Sequence, residues 1–137
     1  MVHALRRLAL PILVASSPVG FASAQEADVA KGEQLFKRCM ACHAVGEDAR
    51  NKIGPVLNGV AGAPWAHIEG FNYSPGLKKG GEEGKVWDDA TLSAFLENPR
   101  KVAPGTKMAF PGLREEQDRA DIIAYLKQFN AEGGRDQ

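Results

Sequence analysis

Large apolar side chains crowd into the first 24 residues of this chain and thin out after them. Residues 1–24 hold 15 side chains of the hydrophobic class, whereas Leu, Ile, Val and Phe together make up 22 of the 113 residues from Gln25 onward. That share, about 19%, sits at the level where a highly charged chain stays disordered. The charge is small, however, with 17 basic residues against 17 acidic ones over 137 residues. Residues 25–137 therefore either fold poorly or complete their core with something other than side chains. The same balance excludes non-specific nucleic-acid binding. No apolar run approaches the roughly 20 residues of a spanning helix, which argues against membrane insertion. The length fits one domain.

The apolar start has the order of a secretory leader. Arg6 and Arg7 form a positive region, Leu8 to Ala15 an apolar stretch broken by Pro11, and Ala22-Ser23-Ala24 a small-residue cleavage signal. Cleavage after Ala24 is expected, leaving residues 25–137 as a single domain of net charge −2, exported to a bacterial periplasm.

An exported chain is permitted disulfides. Its only cysteines lie in Cys39-Met40-Ala41-Cys42-His43. A bridge there would close a tiny loop and stabilise little, because the gain grows with loop length. Two functional readings remain, a thiol redox pair and a haem attachment site. C-x-x-C-H is the attachment motif of c-type haem. On a helical turn, residues three apart share one face, so two thiols can form thioethers to one porphyrin while His43 reaches its iron. A thioredoxin-like pair would need a βαβ setting, and no such pattern is present.

A haem ligated by His43 has a second axial position. Met1 lies in the leader, and Met40, between the two thiols, cannot cross to the opposite ring face. Met108 and His67 remain, and Met108 is favoured. It sits in the turn-rich stretch Pro104-Gly105-Thr106-Lys107-Met108, and His/Met is a known ligand pair. His67 reads better as a polar loop residue or hydrogen-bond donor.

Three helices are predicted. The first spans about 28–42, with Val29, Gly32, Phe36 and Cys39 at helical spacing and Asp28 as cap. The second spans about 89–97, with Leu92, Phe95 and Leu96 on one face, Asp88 as cap and Pro99 as stop. The third spans about 115–130, with Ile122, Tyr125, Leu126 and Phe129 in phase; its early acids and Lys127 suit the helix dipole. Residues 44–87 read as one long Gly/Pro-rich loop, reasonable only if wrapped around a prosthetic group. The polar tail 131–137 is expected to fray. The fold class is all-α.

These motifs, in this order, resemble the class I cytochromes c, most closely the mitochondrial-like cytochrome c2 group of bacteria. The resemblance spans nearly all of residues 28–130. It rests on Gly32 and Phe36 before Cys39-x-x-Cys42-His43, then Gly54-Pro55-x-Leu57-x-Gly59, Phe71-Asn72-Tyr73, Trp87, Leu96-Glu97-Asn98-Pro99, Pro104 to Met108 and Ala124 to Lys127. It implies three main helices with long loops around one covalently bound haem c. It further implies that Gly32 lets the first and last helices cross against Tyr125, and that the Pro55 carbonyl accepts from His43. Tyr73, Trp87 and Thr106 resemble the residues that hydrogen-bond the propionates, and Phe110 the aromatic that covers the ring. Three departures stand out. Ala63 replaces an arginine often found near a propionate. Phe95 replaces a tyrosine whose hydroxyl approaches the methionine sulfur. The stretch from Tyr73 to Trp87 is longer than in mitochondrial proteins.

The implied function is a non-enzymatic, monomeric carrier of single electrons in the periplasm. It would shuttle between a membrane cytochrome bc-type donor and an oxidase, a photosynthetic reaction centre or another reductase. Docking would use bases near the haem edge: Lys37, Arg38, Lys79 and Lys107, with Lys52, Lys78, Arg100 and Lys101 as further candidates. The alternatives are a haem peroxidase or ligand sensor with a labile sixth site, a dedicated acceptor subunit of one periplasmic dehydrogenase, and a thiol oxidoreductase.

Overall fold

The computed structural model describes residues 26–135, so the expected leader and its cleavage site lie outside the described residues. The order of elements is α1 (Val29–Phe36), α2 (Pro75–Glu82), α3 (Asp89–Glu97), α4 (Pro99–Val102) and α5 (Glu116–Leu126). Extended pairing among the described residues is limited to two isolated bridges, Pro64 with Val86 and Phe129 with Arg135.

The first and last helices form the frame. Asp28 caps α1 by accepting from the Lys31 N–H at 3.0 Å. α1 crosses α5 at Gly32, where any side chain would collide with the Asp121 carbonyl and the Tyr125 Cβ. Only glycine lets the two backbones approach this closely. Asp121 lies at the crossing and is fully buried. It accepts from the Asp28 N–H at 2.8 Å and the Gln117 amide at 2.9 Å, with the Lys31 ammonium 3.3 Å away. Burial pushes the carboxyl pKa up, but these donors outweigh it and hold the group below the usual carboxylate range. Phe36, Tyr125 and Phe129 continue the seam as a chain of tilted and edge-on rings.

The structure differs from the sequence expectations at element ends and in the long loop. α1 stops at Phe36, not Cys42, because the chain tightens to i→i+3 bonding: Arg38 N–H to Leu35, Cys39 N–H to Phe36, Cys42 N–H to Cys39. α5 likewise ends at Leu126 and tightens through Phe129. The expected loop 44–87 contains α2, which starts on a Ser74 cap and Pro75. The two glycines of α2 that weaken its pattern are required by packing: a Cβ on Gly80 would strike the Trp65 ring, and one on Gly81 the Trp65 carbonyl. α4 is a single turn capped by Asn98.

The tail also departs from expectation, since residues 131–135 fold back. Asn130 N–H donates to the Gly134 carbonyl, and Arg135 lies over the Phe129 and Tyr125 rings at 5.1 and 5.8 Å. Gly133 turns there with φ 86.

Candidate functional site

The Cys39 to His43 turn follows directly from α1, so the α1–α5 frame sets its position. The His43 N–H donates to the Cys39 carbonyl at 2.8 Å, closing the turn. The His43 ring is 9% exposed, and its Nδ1–H donates to the Pro55 carbonyl at 2.7 Å. That bond selects the tautomer whose Nε2 carries the free lone pair, the arrangement of a metal-ligating histidine. Burial lowers the His43 pKa, with the Pro55 carbonyl opposing and Lys52 reinforcing it, so the ring is neutral at pH 7. Gly54 lies directly against the imidazole, where a Cβ would overlap it, and its N–H donates to the Cys42 carbonyl. The 54–55 segment thus grips both the ring and its turn.

Cys39 and Cys42 are unbridged and half-buried. Burial pushes the Cys39 thiol up to about 11, against a small opposing effect of Arg38. Thiol exchange needs an attacking group whose pKa is lowered toward ambient pH. This thiol is shifted the other way, which weighs against the thiol oxidoreductase reading.

The residues expected around the ring edge lie on three segments. Tyr73 is buried just before α2, Trp87 is buried just before α3, and Thr106, Met108 and Phe110 lie on the strap between α4 and α5. Lys107 Nζ donates to the Asn72 carbonyl at 3.0 Å, which ties the strap to the Tyr73 segment. The Tyr73 hydroxyl accepts from the Ile68 N–H at 3.3 Å, and Thr106 Oγ1 from the Met108 N–H at 3.3 Å. In each case a backbone donor occupies an oxygen lone pair, which leaves the O–H free to donate. Two thiols on one turn, an imidazole with a free Nε2 and two hydroxyls with protons to give are the donor set that a carboxylated, covalently held haem requires. Phe95 packs edge-on to Trp87 at 4.9 Å.

Several contributors are not visible in the sequence pattern. Arg119 is buried, with Nη1 donating to the Leu113 and Arg114 carbonyls at 2.8 and 2.7 Å and Nε to Ser93 Oγ at 3.0 Å. It anchors the far end of the Met108 strap. Asn58 exchanges two hydrogen bonds with Gly46, both 2.9 Å, across the loop that follows His43. Trp65, in the supposedly featureless loop, is 5% exposed and stacks on Trp87 at 4.7 Å. His67 is half-buried; burial lowers its pKa against the opposing Asn58 and Pro64 carbonyls, although neither ring nitrogen reaches good hydrogen-bond geometry among the described residues.

Comparison with known proteins decides the family. The model of the family described as Cytochrome c matches residues 29–130. The chain belongs to the cytochrome c family. It is therefore an electron-transfer protein and not an enzyme. It is 44% identical over 131 residues to cytochrome c2 of Blastochloris viridis, covering 96% of this chain and 99% of that protein. It is 54% identical to cytochrome c-550 of Ancylobacter novellus over 104 residues, 76% of this chain and 97% of the relative. The solved cytochrome c2 of Rhodospirillum centenum superposes with a TM-score of 0.70 at 43% identity, covering 76% of this chain and 99% of that one. The all-α class I fold expected from the motifs is thereby established for this cytochrome.

The charged surface is uneven. Five bases engage in ion pairs among the described residues: Lys31, Lys79, Lys85, Lys127 and Arg135. Of the eight bases expected to dock a partner, only Lys79 is among them. Lys52 and Lys107 are instead held by the Met40 and Asn72 carbonyls, which leaves their charge uncompensated. Met40, in the attachment turn, and Ile53, next to Lys52, are large apolar side chains that are 51% and 82% exposed. No helix among the described residues is long and apolar enough to cross a membrane.

Proposed function

We propose that this cytochrome is a periplasmic single-electron carrier in which Cys39 and Cys42 hold one haem c and His43 Nε2 and Met108 ligate its iron. The bound haem supplies the one-electron iron couple, and a His/Met pair raises its potential relative to two histidines. The observation that carries the reading is the His43 imidazole, buried, neutral, and held by Pro55 with Nε2 free. The Pro55 carbonyl strengthens His43 as a donor and fixes its plane, Gly54 lies against the ring, and Cys39 and Cys42 are half-buried at the attachment points. Tyr73, Trp87 and Thr106 serve the propionate side, and Phe110, half-buried against the core, covers the ring.

Export would remove residues 1–24. The intact mass of the exported protein tests both points: a chain starting at Gln25 with one added haem is expected, with a c-type reduced-minus-oxidised spectrum. A mature chain of bare polypeptide mass would overturn the reading.

Donor and acceptor are membrane complexes, a cytochrome bc-type donor and an oxidase, reaction centre or other reductase. The support is a set of bases, Lys37, Arg38, Lys52 and Lys107, that form no ion pair with a carboxylate among the described residues, with exposed Met40 and Ile53 near Lys52. An acidic partner would be steered by this asymmetry despite the near-zero net charge. Raising ionic strength from about 0.01 to 0.15 M shortens the Debye length from roughly 30 to 8 Å. The bimolecular rate with such a partner is expected to fall at least tenfold over that range. A flat salt profile would remove these bases as the docking site.

A further inference from the structure

We infer that Trp65 is a propionate donor of this cytochrome, through its indole Nε1–H. The inference rests on the haem reading above and adds a residue to it.

Trp65 Nε1 is buried and has no hydrogen-bond partner among the described residues. An indole N–H can only donate, and leaving one unpaired inside a protein costs the full desolvation of the group. Native interiors seldom accept that cost, so the N–H is aimed at an acceptor supplied by something other than the surrounding side chains. The ring is held tightly enough to be aimed. Trp87 stacks on one face at 4.7 Å, and Lys85 Nζ lies 5.2 Å from the ring centroid. Gly80 abuts the Cε3–Cζ3 side, which leaves Nε1 on the opposite side of the ring, away from α2. The Trp65 N–H donates to the Lys85 carbonyl at 2.9 Å and fixes the backbone. Ala66, with φ 56, is the one non-glycine residue among the described residues in the left-handed region. That strain persists only where surrounding contacts hold it, here directly after the residue turned inward.

The acceptor chemistry follows from the neighbours. The Tyr73 hydroxyl is bonded to Ile68 on this same loop and keeps its own proton to donate. Trp65 stacks on Trp87, the other indole of that side. The Trp65 Nε1–H and the Tyr73 O–H are donors on one loop whose only carboxylate, Glu69, is exposed, and an external carboxylate fits both. Ala63, two residues earlier, provides no charged donor, so a neutral indole N–H takes up the role. A donor on a propionate draws negative charge away from the iron and thereby disfavours the ferric state.

Two measurements on the haem-loaded protein test this. In the ferrous wild type, a nuclear Overhauser contact is expected between the Trp65 indole proton and propionate methylene protons. In Trp65→Phe, which keeps an aromatic ring on Trp87 but loses the N–H, the midpoint potential is expected to fall while the visible spectrum is retained. Absence of the contact in a protein with a c-type spectrum, or an unchanged potential in Trp65→Phe, would overturn the role of Trp65 alone. A wild type without haem would overturn the cofactor reading instead.

Discussion

Without haem, the chain from Gln25 to Gln137 is expected to lose its cooperative unfolding transition. A Cys39→Ala/Cys42→Ala variant provides the test, followed by calorimetry and circular dichroism. The reason lies in what the core contains. Its buried members number few aliphatics: Val60, Leu77, Leu92, Leu96, Leu113, Ile122, Ile123 and Leu126, beside aromatic rings. A haem macrocycle buries on the order of 500 Å², two to three times the 150–250 Å² of an aromatic side chain. At about 25 cal/mol per Å² this supplies roughly 12 kcal/mol as an upper estimate. A domain's whole net stability is about 5–15 kcal/mol. Removing the group therefore removes stabilisation as large as the margin itself. A native chain of this length would absorb an unfolding enthalpy of about 80 kcal/mol near 60 °C. The variant should show no heat peak of that size. Residual helix is expected, because α1 and α5 meet through their own contacts: the Gly32 crossing, the Asp121 bonds and the Phe36 and Tyr125 rings. A full cooperative peak in the variant would mean that side chains alone complete the core.

The residues proposed to hold the haem stand out because their chemistry leaves a pattern in the sequence. Cys39, Cys42 and His43 must be adjacent on one turn, so spacing reveals them. The α3 and α5 faces were legible by periodicity, and the caps Asp28 and Asp88 by residue type, each accepting from the residue three positions on. What was not legible depends on contacts between distant segments. α2 was hidden because Gly80 and Gly81 read as loop, although they are glycine to admit Trp65; Ser74-Pro75 was the available start signal. Nothing in the sequence around Arg119 and Asp121 marks them, and only the fold brings carbonyls to the one and N–H donors to the other. The tail read as fraying because Gly133 and Gly134 carry no apolar signal, yet Gly133 fits against Gly46 and Asn58, where no side chain would.

Met108→Ala is expected to keep its haem and lose its resistance to external ligands. The proposed covalent anchors, Cys39 and Cys42, are untouched by the change. The strap carrying Met108 is anchored at both ends without it. Ala103 is buried and its carbonyl accepts from Thr106 N–H at 3.0 Å; the Leu113 N–H donates to the Leu96 carbonyl at 2.8 Å, and Arg119 holds the Leu113 and Arg114 carbonyls. Truncation should therefore remove one thioether and leave the strap in place. Axial-ligand choice spans about 0.8 V of potential among haem proteins. A soft, neutral thioether favours ferrous iron, and each tenfold loss of that preference lowers a one-electron potential by about 59 mV. A fall on the order of 100 mV or more is expected, with rapid binding of cyanide to the ferric variant and carbon monoxide to the ferrous one. His67 provides the competing assignment. His67→Ala should leave both the potential and ligand resistance near those of the parent, because its ring lies in the loop that carries Trp65 and not on the strap. If instead Met108→Ala kept the parent potential and excluded cyanide while His67→Ala did neither, the axial ligand would be His67. The carrier would then be a two-histidine cytochrome of lower potential.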